Sequence, residues 1–466
     1  MNVISGVVTR KLNAALAAAW LFALPGVSSA VSVNLDQAVE MALNTDPRIK
    51  EREAVVERAR GLLDEVHGRA GLRIDANAYV SAVPGVDGGI FQNGASTCTT
   101  CTLRDDAGKF DDGISVLAGL QFALVHPLYT FGKVENYSEA ARNNIQVREG
   151  DVRLTRAQTQ LDVRRAYYGY LTARDTKVFL VDLLSKVDSV IAGIEKRKAS
   201  GKPTSEGNLY AVQAVRGSVG RYLAQAKAIE AVSMDGLKTL VGVPLSAQLE
   251  VSDAHIEPVA LPEGSVDELV KTALAQREEM AQVEAGMTAL RAMVKARRAE
   301  MYPDVYAAVV GGAAVAPGRD TLDNPYIFDN FNHAYAAPVL GVGWNIRPGM
   351  VNAQTRQAEA DLREVTEKAN FARIGIPFQV AEAYHRSKGG QEAVQQLKEG
   401  FIAGRRWFTT VFMDSEAGAV DMALLVEAFR TYTTMYGDYL FGINDYNMQV
   451  AQLRHALGEW KYRELA

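Results

Sequence analysis

Residues Ile114–Val125 read ISVLAGLQFALV, and their period decides the fold. Ile114, Val116, Ala118, Leu120, Phe122 and Leu124 alternate with Ser115, Gly119, Gln121 and Ala123. Strict alternation marks a strand with one apolar and one polar face. The stretch 72–83 behaves in the same way: Ile74, Ala76, Ala78, Val80 and Ala82 alternate with Arg73, Asp75, Asn77, Tyr79 and Ser81. Such lengths match the roughly 9–11 residues a tilted strand needs to cross a bilayer. Two further stretches, 305–316 and 335–347, bring the set to four. In the latter, Leu340, Val342, Trp344 and Ile346 alternate with Gly341, Gly343, Asn345 and Arg347. The former is rich in Ala, Val and Gly on both faces and does not fix its own register. A hairpin of a soluble sandwich alternates likewise, so context must choose between the two. In a closed membrane barrel Leu120, Phe122 and Trp344 face lipid, and Asp75, Asn77, Ser115, Gln121 and Asn345 face the lumen.

After each strand pair the chain turns helical for a very long stretch. From Gly132 to Ala199 there is no proline, and Leu154, Ala157, Leu161, Tyr168 and Leu171 keep spacings of three, four and seven. About 65 residues of helix extend about 100 Å, a length that suits coiled-coil-like packing rather than a compact domain. The break at Ser200–Ser205 is short, so the next helix, to about Val241, must fold back antiparallel. The second half repeats this with a helix from Met350 to about Met413, a turn near Asp414–Gly418 and a helix to about Gly458.

The two halves therefore look like copies. Leu35, Ala38, Val39, Ala42 and Leu43 set against Val266, Leu269, Val270, Ala273 and Leu274, an offset of 231 that also carries Ile74 onto Val305. Later, Leu237, Leu240 and Gly242 recur as Leu453, Ala456 and Gly458. A repeat this long is duplication of a half rather than a solenoid unit. Residues 31–242 form the first repeat and 265–466 the second. The stretch 243–264, with Pro244, Pro258 and Pro262, joins them.

Residues 1–30 read as a secretory signal peptide. Arg10 and Lys11 precede the apolar run Leu12–Leu24, and Ser28 and Ala30 place small residues at −3 and −1. The run is shorter than the about 20 residues of a spanning helix. No Cys follows the cut to take a lipid anchor. No later segment is a helical span by hydropathy, so a mature membrane protein of this sequence spans as a β-barrel. Net charge is −5 over 466 residues, and loss of Arg10 and Lys11 with the leader takes it to −7. That balance does not favour nucleic acid as a partner. The 48 % hydrophobic content excludes wholesale disorder.

No catalytic constellation is present. The six histidines are scattered without metal-ligand spacing, and there is no nucleophile elbow, P-loop or dinucleotide fingerprint. No enzyme activity and no cofactor are expected. Cys98 and Cys101 lie in the polar connection between the first two strands. Two cysteines exclude a disulfide-dense scaffold. In an exported chain they suit a local disulfide, with free thiols or a metal clip as the alternatives.

Together these features resemble the TolC family of outer-membrane factors, the outer membrane efflux proteins, over about residues 33–459. Leu35-Asp36-Gln37-Ala38-Val39-Glu40-Met41-Ala42-Leu43-Asn44-Thr45-Asp46-Pro47 is similar to the family's opening. Pro127-Leu128-Tyr129-Thr130-Phe131-Gly132 after the second strand, and Asp421, Leu424, Ala428, Tyr446, Leu453 and Gly458 near the end, add to the likeness. The resemblance implies a mainly α fold with membrane β-hairpins. Long antiparallel helices form an α-barrel, and four strands per chain contribute to a trimeric 12-stranded β-barrel. It implies the outer-membrane channel of a tripartite efflux pump or type I secretion system, with a large periplasmic part. The implied partners are outer-membrane lipid, a periplasmic adaptor and an inner-membrane transporter. It assigns adaptor contact to the hairpin turns: Gly201, Lys202, Pro203, Thr204 and Ser205, and Asp414, Ser415, Glu416 and Gly418. Elementary physics agrees on assembly: four strands leave two unpaired edges, untenable in lipid, and three copies supply twelve strands. Two departures stand out. Arg347-Pro348-Gly349-Met350-Val351 replaces the first half's aromatic exit. Arg405-Arg406-Trp407-Phe408-Thr409-Thr410 is basic and aromatic where some members carry acidic rings, so cation selectivity is not carried over. The rival architecture is a periplasmic coiled-coil adaptor or scaffold without a pore. It would offer one helical hairpin rather than two with duplicated strand pairs.

Overall fold

Asn34 and Ser265 open the two halves with the same device. Asn34 Oδ1 accepts from the Gln37 N–H at 2.8 Å while Gln37 Oε1 accepts from the Asn34 N–H at 3.0 Å. Ser265 and Glu268 exchange the equivalent bonds, so a capping box starts a helix at each site. The computed structural model describes residues 31–86, 102, 113–201, 204–322, 325–416 and 421–460. The leader 1–30, Cys98, Cys101, Lys202, Pro203 and Gly418 lie outside them.

Among the described residues the elements run in an order that repeats. The first half is β1 (Val31–Val33), α1 (Leu35–Thr45), α2 (Pro47–Arg69), β2 (Arg73–Pro84), β3 (Ile114–Tyr129), α3 (Lys133–Ala199) and α4 (Glu206–Leu240). The second is β4 (Leu249–Val251), α5 (Val266–Gln276), α6 (Glu278–Ala299), β5 (Asp304–Val315), β6 (His333–Gly343), α7 (Pro348–Glu416) and α8 (Met422–Leu457). From α1 to β2 the offset to the second copy stays at 231, as Leu35 against Val266 and Arg73 against Asp304 show. Each copy ends on a left-handed glycine, Gly242 (φ 73°) and Gly458 (φ 73°). The Val243 N–H reaches Lys238 O and the Glu459 N–H reaches Arg454 O, the six-to-one bond of a Schellman stop. This is why those glycines recur in the sequence.

The chain divides into two compact units, to each of which both halves contribute. One unit holds residues 1–47, 156–270 and 379–466. Its core packs α3, α4, α7 and α8 through Phe179, Leu183, Val187, Val219, Phe408, Phe429 and Tyr432. Rings interlock there: Phe408 stacks on Tyr432 at 5.4 Å and Phe179 meets Tyr432 edge-on at 5.2 Å. The joining stretch 243–264 carries β4, which pairs in parallel with β1. Beyond β4 it is a strap. Asp175 accepts the Ile256 N–H at 2.9 Å, Tyr167 donates to Asp253 at 2.8 Å, Tyr446 donates to Val259 O at 2.9 Å, and Asn447 bonds Glu257 O and the Val259 N–H.

The other unit holds residues 48–155 and 271–378. It carries an antiparallel sheet of order β2-β3-β5-β6. β2 and β5 fall within one residue of expectation and β6 begins two residues early, at His333, while two strand ends differ more. β3 continues through Pro127 to Tyr129, because the ladder shifts register between Pro127 and Tyr129 and a bulge tolerates the missing donor. β6 stops at Gly343 rather than Arg347, because its partner β5 begins at Asp304, directly opposite Gly343, after Pro303. Trp344, Asn345 and Ile346 therefore lie beyond the ladder. α7 begins at Pro348, where proline's fixed φ suits the first helical position, and runs to Glu416. Asp414, Ser415 and Glu416 thus belong to its last turn rather than to the connection.

The sheet's register is locked by rings laid on glycines. Tyr79 opposes Gly119, Phe122 opposes Gly311, Tyr335 opposes Gly312 and Tyr306 opposes Gly341. A Cβ on Gly119, Gly311 or Gly341 would fall inside the facing ring. At Gly311 the Tyr335 carbonyl oxygen adds a backbone contact at 2.8 Å, which no rotamer change relieves. Gly311→Ala should therefore destabilise the folded protein by about 1–3 kcal/mol, as overpacking does. Gly343→Ala, whose nearest atom is 3.6 Å away, should change it by about 0.5 kcal/mol or less. Thermal unfolding in detergent compares the two. Equal midpoints would show that the glycine–ring pairs do not set the register.

Candidate functional site

The register sorts the sheet's side chains onto two faces. Ile74, Ala76, Ala78 and Val80 share a face with Val116, Leu120, Phe122 and Leu124 through their pairings. Val309, Gly311 and Ala313 on β5 and Ala336, Pro338 and Leu340 on β6 continue it. This face is apolar but for His126 near its helix end and is open: Val80 is 75 % exposed, Leu340 79 % and Ile74 64 %. The opposite face carries Arg73, Asp75, Asn77 and Tyr79, then Ser115 and Gln121, then Gly312 and Tyr335. Arg73 and Asp75 pair there at 2.8 Å. The alternation that was indecisive for 305–316 is now fixed by its neighbours, with odd residues on the apolar face and even ones on the polar face. Asp75, Asn77, Ser115 and Gln121 share the polar face, and Asn345 does not join them. Both outer strands, β2 and β6, have one edge without a partner among the described residues.

An aromatic cluster marks the helix-bearing end of the sheet. Phe131 adopts φ 51° and Gly132 φ 82°; two left-handed residues in succession turn β3 sharply into α3. The Phe131 ring stacks on Tyr302 at 5.8 Å and meets Tyr129 edge-on at 4.7 Å. The Trp344 indole donates to Met301 O at 2.9 Å. All four rings stay solvent-accessible. The sequence alternation picked out Trp344 but passed over Tyr129, Phe131 and Tyr302, which fall outside the alternating stretches 114–125 and 305–316.

Near that end, α2, α3 and α6 line a groove of about 830 Å³. The Tyr137 hydroxyl donates to Glu300, which also receives Arg297 at 2.8 Å, and Lys133 pairs with Asp304 at 2.8 Å. Burial, then the hydrogen bond to the Glu300 carboxylate, push the Tyr137 phenol far above its ordinary range. That holds the proton in place, which suits a structural bond and not proton transfer. Among the described residues no group of His, Cys, Asp and Glu is placed to hold a metal.

The ends of the long hairpins are simpler. Gly201 (φ 71°) stops α3, and Ser205 precedes α4 without a side-chain capping bond. Lys198 pairs with Glu206 across this turn at 2.9 Å, and the hydrogen bond from Lys198 holds the Glu206 carboxyl below its usual range. Arg405 and Arg406 are exposed on α7, while Phe408 between them and the turn is buried in the helical core.

Comparison with known proteins agrees with this geometry. Residues 269–459 match the outer membrane efflux protein family. No curated protein matches the chain significantly. Among solved structures, the outer-membrane channel OprN superposes with a TM-score of 0.72 at 18 % identity, covering 91 % of this chain and 89 % of that one. The outer membrane protein VceC of Vibrio cholerae gives 0.70 at 17 % identity, covering 91 % and 96 %. The Campylobacter jejuni CmeC outer membrane channel gives 0.73 at 14 % identity, covering 91 % and 85 %. The fold is that of these outer-membrane channels.

Proposed function

We infer that this chain, whose second half is an outer membrane efflux protein domain, is an outer-membrane efflux channel that assembles as a homotrimer. The observation that carries the assembly is the sheet itself. Among the described residues it has one exposed face that is apolar but for His126 near its helix end, one polar face, and two unpaired edges. Lipid satisfies the first, a water-filled lumen the second, and only pairing of β6 with the β2 of a neighbouring copy satisfies the third. Asp75, Asn77, Ser115 and Gln121 then line the lumen. Tyr129, Phe131, Tyr302 and Trp344 lie at the level of the lipid headgroups, where amphipathic rings concentrate. The helices α3, α4, α7 and α8 continue the conduit on the periplasmic side, toward an adaptor and an inner-membrane transporter. Cargo leaves by a tunnel rather than by a chemical step, which fits a chain without a catalytic constellation.

A charge on the lipid face near the bilayer midplane costs about 2–4 kcal/mol, while lumen positions tolerate it. Leu120→Arg should therefore abolish or sharply reduce the folded outer-membrane form, and Gln121→Arg should leave its yield near normal. Equal losses, or the reverse order, would place the lumen on the wrong face of the sheet.

The hairpin ends near Thr204, Ser205 and Asp414 are proposed as adaptor contacts. The Ser205 side chain makes no capping bond and Asp414 is exposed, so Ser205→Trp and Asp414→Arg should leave assembly intact and lower export in cells. Export at the original level in both variants would remove the docking assignment, and loss of assembly would make the turns structural.

A further inference from the structure

The connection between β5 and β6 does not project away from the sheet. Its described residues lie back over one face. The Gly318 N–H donates to Ser115 Oγ at 2.9 Å, and a Cβ on Gly318 would come within 2.8 Å of the Ser115 Cβ, so the backbone approaches as closely as glycine allows. The Arg319 guanidinium donates to Pro84 O at 2.6 Å and lies 3.8 Å over the centre of the Phe331 ring. Val86 and Asp320 add backbone bonds, Val86 N–H to Gly318 O and Asp320 N–H to Val86 O. Asn332 ties both arms, accepting from the Ala316 N–H at 2.8 Å and donating to Arg319 O at 3.3 Å.

The return arm is as firmly held. The Asp329 carboxylate accepts from the N–H groups of Leu322, Phe331 and Asn332 at 2.8–3.0 Å. Burial alone would raise this carboxyl, but those three donors and Arg319 outweigh it and hold it below its usual range. Phe331 packs against Val83, Leu117, Ala314 and Ala316, with Tyr79 beside it. By strand register Tyr79, Val83, Leu117 and Ala314 occupy the face that carries Asp75, Asn77 and Gln121. The described residues of the connection thus fold onto the polar face and not onto the apolar one.

We propose that the described arms of this connection, 316–322 and 325–332, form a size-selecting constriction at the outer mouth of the pore, with Phe331 and Arg319 as its inner wall. The proposal rests on the channel function inferred above. If the apolar face meets lipid, the polar face is the lumen wall, and anything laid on it narrows the lumen. The connection leaves from the end of the sheet opposite the junctions with α3 and α7, so it opens to the exterior when those helices are periplasmic. Three copies around one axis would place three Arg319–Phe331 pairs facing one another. Cargo that passes must be small enough for that ring, or must displace an arm held by hydrogen bonds and one guanidinium–ring contact.

The test reads access from outside, independently of the periplasmic end. In the full-length chain with Cys98→Ser and Cys101→Ser, a single cysteine is placed at Gln121→Cys in the lumen or at Tyr326→Cys, a residue 94 % exposed on the connection. Intact cells are treated with a small charged maleimide and with a polyethylene-glycol maleimide. The bulky reagent should label Gln121→Cys at least about tenfold more slowly than Tyr326→Cys, as expected when access waits on an open state populated at about 10 % or less. The small reagent should label both. Adding Phe331→Ala and Arg319→Ala should remove most of the difference. Gly318→Leu, which pushes the arm off Ser115, should do the same if the double variant fails to fold. Bulky labelling of Gln121→Cys as fast as Tyr326→Cys in the unaltered connection would overturn the constriction while leaving the channel in place. If neither cysteine reacts from outside although the protein is in the outer membrane, the orientation is wrong, and the channel reading falls together with the constriction.

Discussion

A backbone amide in hydrocarbon has no water to turn to, and leaving it unpaired costs several kcal/mol. That constraint shapes this chain more than any side-chain contact. Four strands of 11 to 16 residues present an apolar face that only lipid suits, yet β2 and β6 end the sheet with open edges. One copy cannot resolve the conflict, and a closed ring of copies can. The long helices share the logic: their backbone groups are satisfied internally, and their tertiary contacts come from side chains such as Phe179, Phe408 and Tyr432. On the assembly proposed above, the same hydrogen-bonding problem has two solutions, closure between copies in the membrane and helices outside it.

Periodicity made most of this legible before any coordinates. The period of two located the strand at 72–83 to within one residue and the start of the next at Ile114, and the offset of 231 matched α1, α2 and β2 to α5, α6 and β5. These signals are local, set by which neighbours along the chain share a face. The capping boxes at Asn34 and Ser265 and the stops at Gly242 and Gly458 explain in backbone terms why weakly similar halves keep their order. The resemblance to outer membrane efflux proteins rested on the same features, and the family match and the fold agree with it.

What stayed hidden was non-local. The pairing of β1 with β4 joins segments more than 200 residues apart, each three residues long, too short to carry a period. The four rings facing four glycines are visible only once the register is known, although each glycine weakens a strand read in isolation. β3 outran Pro127 because a register shift absorbed the proline, and β6 fell short of Arg347 because its partner ran out. The joining stretch 243–264, rich in proline, looked like a plain connection. Asp175, Tyr167, Tyr446 and Asn447 make it a strap, through bonds that no spacing rule announces.

The central claim is closure by copies, and the mass of the assembly tests it most directly. The mature protein, extracted from membranes in detergent and measured by sedimentation with the bound detergent subtracted, should have three times the mass of one chain. A stable, folded monomer in the same measurement would contradict the account, because it would leave the edges of β2 and β6 unpaired in a membrane-like environment.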